Sequence, residues 1–379
     1  MPRLVLAAAL ALAPSAARAV YVERLIQIGI AHGVRELTLT PEGRCTLRDE
    51  AAGEAHALLP LKAYRVESEG AGLRFGPYHI TGPARLVPLE PGATVVAGNG
   101  RYKGDLIVKP NGDETLTVIA ELGVEDYLLG VLPREMEPNW PLQALKAQAV
   151  VARTFAYYHL GRYKRSGFDL TSDTRSQMYG GVGYESETVR RAVRETRGEV
   201  LGFRGALLAA YYHACCGGHT ADYGMVWGHG AKAPAPLRGV KDRYCPKSAL
   251  GRWTIFIPSA EVLAALQSRR LIGGRLKAFR MGRRDPAGYV RSFTAKVGGK
   301  TMTVNSEDFR RAVGPTQLRS LRLRSVRLRR GGVEFAGSGS GHGVGLCQWG
   351  ARLQAQLGRT YEAILEYYFP GATLSVVDE

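Results

Sequence analysis

The sequence predicts an α+β fold: a mixed β-sheet core with a long buried helix, a β-rich N-terminal region and a small α/β insertion. Three observations lead there. Residues 20–115 break into short strand-like runs between glycine turns. Residues 141–160 run helical without a breaker. Residues 250–330 mix strand pairs with two short helices. At 379 residues the chain exceeds what one core usually needs. The expected division is a signal peptide at 1–19, a β-rich region at 20–115, and a catalytic domain at 116–379 carrying the insertion at about 250–330. A hydrophobic content of 45% excludes a disordered chain.

Taken in order, the chain opens as a secretory signal. Arg3 supplies the positive start, residues 4–13 are apolar, and Ala17-Arg18-Ala19 fits a small-residue cleavage site. The apolar run is short for a bilayer span, and no later stretch is long and apolar enough to be one. The expectation is an exported protein of the periplasm or cell-wall space, with no transmembrane segment once the signal is cleaved. Net charge is +17, and Arg3 and Arg18 carry little of it. Such a basic excess favours acidic partners, and export makes nucleic acid the least suitable of them.

Within 20–115, residues 34–40 alternate loosely and 71–81 place apolar and aromatic positions between glycines. Gly98-Asn99-Gly100 and Asn111-Gly112-Asp113 are turns, the second joining 105–109 to 115–120 as a hairpin. Nothing here looks catalytic, which leaves packing or polymer docking as its role.

Residues 124–129 read as one or two helical turns leading to Glu135, in a loop pinned by Pro133 and Pro138. Asn139 is the expected N-cap of the long helix, with Pro141 in its first turn and Gly161 as its stop. The rod is roughly 30 Å long. Ala144, Ala147, Val151, Phe155 and Tyr158 form one stripe, and Leu145, Ala149, Ala152 and Ala156 a neighbouring one. A helix apolar on two stripes should be largely buried. Glu135 is thus a carboxylate at the mouth of a buried helix.

Beyond it, residues 169–182 are extended and polar and end in glycines. Residues 185–196 form an amphipathic helix closed by Gly198. Residues 199–201 and 206–212 pair as strands, ending in His213-Ala-Cys-Cys-Gly-Gly-His219. In the insertion, 259–267 and 307–313 are helical, and 289–304 is a strand pair around Gly298-Gly299. Residues 321–329 give a strand with an arginine face and a bulge at Ser325, read as solvated rather than polyanion-binding. The glycine run at 337–345 is a loop that permits close backbone approach.

Several residue types carry chemistry. A carboxyl group buried among prolines, Met136 and Trp140 acquires a raised pKa suited to acid–base work. Gln177 and Tyr179 suit binding of a ligand rich in hydroxyl and amide groups, and Tyr179 can also stack on a ring. Arg153 on the buried helix calls for an internal ion pair more than for a ligand carboxylate. His342 and Gln348 in or beside the glycine loop suit a cleft lining. Of five cysteines, Cys45 is remote and the expected odd one. Cys215, Cys216, Cys245 and Cys347, with His213 and His219, offer either a structural zinc site or disulfides, and residue types alone leave both open.

Three ordered blocks carry a family resemblance. Leu-Pro-Arg-Glu-Met (132–136) with the helix from Trp140 to Thr154, Asp173-Thr-Arg-Ser-Gln-Met-Tyr-Gly-Gly, and Gly341-His-Gly-Val-Gly-Leu-Cys-Gln-Trp-Gly-Ala resemble the signature of the SpoIID/LytB family, stage II sporulation protein D and its relatives. The match runs from about 116 to 371 and is weak over 250–330. The resemblance implies a lytic transglycosylase that cleaves the MurNAc-GlcNAc bond of peptidoglycan glycan strands, with Glu135 as catalytic acid. The sugar's own C6 hydroxyl is the nucleophile, so one carboxyl group can serve as acid and then base, with no cofactor required. The resemblance also implies an alternative: a non-catalytic wall-binding protein that modulates a cell-wall amidase. A zinc amidase or peptidase is disfavoured, because there is no His-Glu-x-x-His and thiolates would crowd the metal.

Overall fold

The computed structural model describes residues 24–228, 231–245, 251–267 and 274–377. The expected signal peptide at 1–19 lies outside the described residues. Helices and strands are both well represented, in several sheets, so the fold is α+β. Among the described residues no helix is long and apolar enough to cross a membrane.

Two large sheets dominate the N-terminal half. The first is seven-stranded, in the order Leu170–Thr171, Leu25–Val34, Leu116–Gly123, Asp105–Pro110, Ala84–Pro88, Cys45–Asp49, Ala55–Leu58. The second is six-stranded, in the order Gly100–Tyr102, Val95–Ala97, Glu36–Pro41, Tyr64–Glu69, Gly72–Phe75, Tyr78–Ile80. The expected hairpin pairs Asp105–Pro110 with Leu116–Gly123. A boundary at 115/116 therefore runs through this hairpin, and the two regions share one sheet. That sharing bears on the site, because Leu170–Thr171 pairs in parallel with Ile28 and Gly29 of the first strand.

Helix α1, Val124–Glu135, continues directly from the strand Leu116–Gly123. It is longer than the sequence predicts and carries Pro133 inside it. A proline in a helix forfeits one N–H···O bond. Here it falls in the last turn, and burial of Tyr127, Leu128, Val131 and Leu132 holds the helix past it. Glu135 is the last helical residue rather than a loop residue. Helix α2, Leu142–Tyr158, starts at Pro141 with no side-chain cap, so Asn139 does not cap it.

The two stripes of α2 serve two cores. Ala144, Ala147, Val150 and Val151 pack with Leu201, Leu208, Cys215, Cys216 and the C-terminal half. Leu145, Ala149, Ala152 and Ala156 pack with the N-terminal sheets and α1. The helix is thus the wall between the two cores, and its alanines let both approach closely. Tyr158, expected on the buried stripe, is 47% exposed at the helix end.

Helix α3, Glu187–Glu195, is capped by Ser186, whose Oγ accepts from Val189 N at 3.2 Å. A short helix α4, Tyr223–Val226, follows the cysteine pair. Over about 250–330 the described residues form two three-stranded sheets with helices α5, Ser259–Gln267, and α6, Ser306–Val313. Its last strand reaches Gly337. The strand Leu323–Arg329 has its register slip between Leu323 and Ser325, where the sequence places a bulge. Helices α7, Gln348–Gln356, and α8, Tyr361–Tyr368, close the C-terminal core.

Candidate active site

Glu135 ends α1, where the helix macrodipole is negative and disfavours a carboxylate. This reverses the electrostatics of a residue placed before a helix. The side chain is half-buried, and burial pushes its carboxyl pKa up. Two donors oppose that rise without cancelling it. Met178 N–H donates to Oε1 at 2.8 Å, and the Tyr212 hydroxyl beside the carboxylate also favours its charged form. No cation and no second carboxylate is among the groups that act on it.

The Tyr212 hydroxyl is oriented by its neighbours. Gln177 Nε2 donates to it at 3.1 Å, which leaves its own proton for Glu135. Tyr127 Oη donates to Gln177 Oε1 at 3.2 Å, which fixes the amide the other way round. Tyr127, Gln177, Tyr212 and Glu135 therefore form one directed chain.

The segment that carries Gln177 and Met178 is held from three sides. Tyr179 N bonds Ser172 O at 3.0 Å, just past the strand added to the N-terminal sheet. Gly180 N bonds Gly130 O of α1 at 3.2 Å. Val182 N bonds Arg101 O at 2.7 Å, on the strand Gly100–Tyr102. Gly181 has φ +73°, and a Cβ there would collide with the Arg101 carbonyl. Glycine is what permits this docking.

Several expected polymer contacts are instead structural. Gln177 is 0% exposed and fully engaged in the chain above. Tyr179 is 4% exposed, its ring packed between Tyr102 and Tyr127 at centroid distances of 5.9 and 5.1 Å. Both build the support of the acid and neither reaches a polymer. Arg153 is 0% exposed and belongs to an internal ion pair. Its Nε and Nη2 meet the two oxygens of Glu125 at 2.8 and 2.6 Å, and Nη1 donates to Glu199 O at 3.1 Å. A wall carboxylate has no access to it.

His342 is half-buried, and its Nδ1 accepts from Val344 N at 3.1 Å. Its ring packs against Trp227, His213 and Tyr211 at 4.7, 5.7 and 6.1 Å. Tyr211 and His213 flank Tyr212, and successive strand residues face opposite ways. His342 thus packs among the side chains that flank Tyr212 in the chain. Gln348 opens α7, buried, with its Nε2 unpartnered.

The cysteines gather as expected, with one substitution in the set. Sulfur atoms of Cys216, Cys245 and Cys347 and a carboxylate oxygen of Asp242 lie within 4.8 Å of one another. Cys215 Sγ is 3.0 Å from Cys245 Sγ. All are free thiols, and Cys45 lies apart in the N-terminal core. The thiols of Cys215, Cys216 and Cys347 converge on Cys245 and hold it far below the usual thiol range. His219 is not in the group; its Nδ1 bonds Thr220 O at 2.8 Å. Asp242 is already saturated. Its Oδ1 accepts from Tyr244 N and Cys245 N at 2.8 and 3.0 Å, and its Oδ2 from Tyr368 Oη and Cys216 Sγ at 2.8 and 3.2 Å. The donor set close enough to hold a cation is Cys216, Cys245 and Cys347 with Asp242, and Cys215 Sγ lies against Cys245 at its edge.

Tyr127, Tyr212, Glu125 and Asp242 escaped the sequence reading. Tyr127 and Glu125 lie in the stretch before Glu135, and buried polar side chains on α1 were the available signal. Nothing local marks Tyr212, whose partners are 35 and 77 residues away in the chain.

Comparison with known proteins agrees with this geometry. The family model described as stage II sporulation protein matches residues 112–203, which span α1, α2 and the Gln177 segment. An uncharacterized protein of Brachyspira hyodysenteriae is 36% identical over 274 residues, 72% of this chain and 72% of its own length. The amidase enhancer of Bacillus subtilis is 28% identical over 65% of this chain, which spans only 40% of that larger protein. Stage II sporulation protein D of Bacillus subtilis is 27% identical over 69% of this chain and 76% of its own length. With the acid-bearing helix, its tyrosine–glutamine support and these relatives in place, the chain belongs to the SpoIID/LytB family.

Proposed function

We propose that this protein is an exported peptidoglycan lytic transglycosylase in which Glu135 is the only acid–base group. The observation that carries this reading is the environment of Glu135. It ends α1 half-buried with Met178 N–H on Oε1, burial raises its pKa, and among the described residues no hydrogen bond or ion pair joins it to another carboxylate. Ordinary glycosidases work with a pair of carboxylates, roughly 5–9.5 Å apart. A lone, raised carboxyl group suits a substrate that supplies its own nucleophile.

The protonated Glu135 donates its proton to the glycosidic oxygen between MurNAc and GlcNAc as the C1–O bond breaks. The resulting carboxylate then takes the proton of the C6 hydroxyl as that oxygen bonds C1. The products are a free hydroxyl on the leaving sugar and a 1,6-anhydro end, and Glu135 is again protonated. Tyr212 and Met178 N–H stabilise the carboxylate between the two steps without lowering its pKa to the ordinary range. The basic excess of the chain suits the acidic wall polymer.

Cys216, Cys245 and Cys347 with Asp242 are proposed to hold a structural zinc ion. When bound, zinc would cross-link residues 216, 242, 245 and 347 and supply folding energy rather than catalysis.

The test is mass spectrometry of products released from purified glycan strands. Wild-type protein should release 1,6-anhydro ends, and Glu135→Gln should bind the polymer and release them about 10²–10⁴-fold more slowly, the value of a general acid–base group. Full turnover by Glu135→Gln would sink the assignment. The second reading, a wall-bound modulator of an amidase, is favoured by the amidase enhancer relative. It predicts that the wild-type protein stimulates a wall amidase and releases no product alone.

A further inference from the structure

A cavity of about 720 Å³, within the range of small-ligand sites, opens between the N-terminal sheet and Arg134, the residue before the acid. One wall comes from the N-terminal sheet, with Thr38, Thr40 and Asn99 offering hydrogen-bonding groups. The opposite wall is Arg134, Gly180 and Tyr184. Arg134 precedes Glu135 on α1, and consecutive Cα atoms are about 3.8 Å apart. The two residues clasp the same segment: Glu135 bonds Met178 N, and Arg134 lies across Gly180, where a Cβ would come within 3.0 Å of its Cδ.

We propose that this cavity is a saccharide subsite adjoining the catalytic acid, which takes a pyranose bearing a carboxylate. Arg134 binds the carboxylate and Tyr184 stacks on the ring. This rests on the glycan-cleaving reading above and adds to it a subsite half built by the N-terminal region.

Three features support it. Arg134 is exposed, and among the described residues no carboxylate pairs with it; its guanidinium instead lies 5.2 Å from the Tyr184 ring. The acid that lines the cavity, Glu36, is engaged by Arg65. The cavity's one free charge is therefore positive. Tyr184 is 48% exposed and presents an amphipathic ring at the cavity. The threonines and Asn99 meet the hydroxyl-rich edge that a sugar presents. A planar guanidinium suits a carboxylate better than any other group on the wall.

The carboxylate has two sources in wall polymer: the lactyl group of a bare muramic acid, or the peptide attached to it. Binding is measured by calorimetry on the full-length Glu135→Gln protein, whose turnover is suppressed. The probes are the GlcNAc-MurNAc disaccharide, the same disaccharide carrying its peptide, and uncharged chitobiose. Adding Arg134→Met should weaken the carboxylate-bearing disaccharide about 10- to 100-fold, the value of a hydrogen bond to a charged group, and leave chitobiose unchanged. The bare and peptide-bearing probes show by their ratio which carboxylate is bound. Tyr184→Ala should weaken all three. Thr38→Trp, at an exposed position of the other wall, should fill the cavity and block all three. An Arg134→Met protein that keeps the parent's ratio of disaccharide to chitobiose affinity overturns the proposal, as does unimpaired binding by Thr38→Trp.

In the catalytically intact background, Arg134→Met should raise KM with kcat retained. If the wild-type protein releases no anhydro product while the binding arms behave as stated, the subsite stands and the transglycosylase reading falls. If product forms and Arg134→Met leaves KM unchanged, the subsite falls alone.

Discussion

Removing the Tyr212 hydroxyl should move the pH profile of the acid in a direction fixed by the structure. Tyr212 donates to the Glu135 carboxylate and so stabilises its charged form. In Tyr212→Phe that stabilisation is lost and the pKa of Glu135 rises further. The acid then stays protonated to higher pH. The proposed general acid must be protonated to act, so the alkaline limb of kcat/KM moves up. The carboxylate remains held by Met178 N–H. Gln177 Nε2 loses its acceptor, which costs about 1–3 kcal/mol of stability and sets how far the unfolding midpoint should fall. The assay is the initial rate of anhydro-end release against pH, on protein shown folded by circular dichroism. A limb that stays in place while stability falls would mean that Tyr212 is structural only. A limb that moves down would refute the assigned direction of the hydrogen bond.

Two further perturbations test the supports of the site. Arg153→Met should remove the cation that meets both oxygens of the buried Glu125, leaving Gly198 N–H on Oε1, and should cost about 3–5 kcal/mol in chemical denaturation. The double variant with Glu125→Gln should recover most of that loss, and equal loss in both would argue against the pair as the cause. Cys245→Ser should abolish bound zinc measured by plasma mass spectrometry and lower the melting temperature. Thiol titration of wild-type protein, unfolded with chelator, should count all five cysteines, whereas two disulfides would leave Cys45 alone titrating.

The sequence reveals this site unevenly, for physical reasons. Glu135 and α2 were legible because both are local: a carboxylate among prolines, and an uninterrupted helical period. The end of α1 was misjudged because Pro133 is a breaker in isolation. Tertiary burial of the preceding turn outweighs one missing hydrogen bond at a helix terminus. Gln177 and Tyr179 were located but not oriented. A glutamine or tyrosine beside an active site can face polymer or interior, and only the fold turns these two inward. Arg153 was legible as a partner-seeking cation, yet Glu125 was not legible as its partner, because the pairing depends on how α1 crosses α2. The cysteine group was visible from residue type. Asp242 was not, since a carboxylate that accepts hydrogen bonds leaves no signature distinct from any surface aspartate.

The N-terminal region, which holds nothing catalytic by residue type, nevertheless helps to position Glu135, the proposed acid. Glu135 is fixed by Met178 N–H, and Met178 sits in a segment anchored at both ends to N-terminal strands. Upstream, Leu170 and Thr171 pair with Ile28 and Gly29. Gly29 is bare because a Cβ there would strike the Phe168 ring at 2.7 Å. Downstream, Val182 hangs on the carbonyl of Arg101. Any displacement of the two sheets relative to α1 is therefore passed to the donor that holds the acid. Positional errors of about 1 Å cost catalysis about 100-fold when they misplace a reacting group. Substitutions such as Gly29→Val or Gly181→Val, remote from Glu135 in the chain, should thus lower kcat before they unfold the protein. The N-terminal sheets act in this way as the frame of the active site rather than as an appended module.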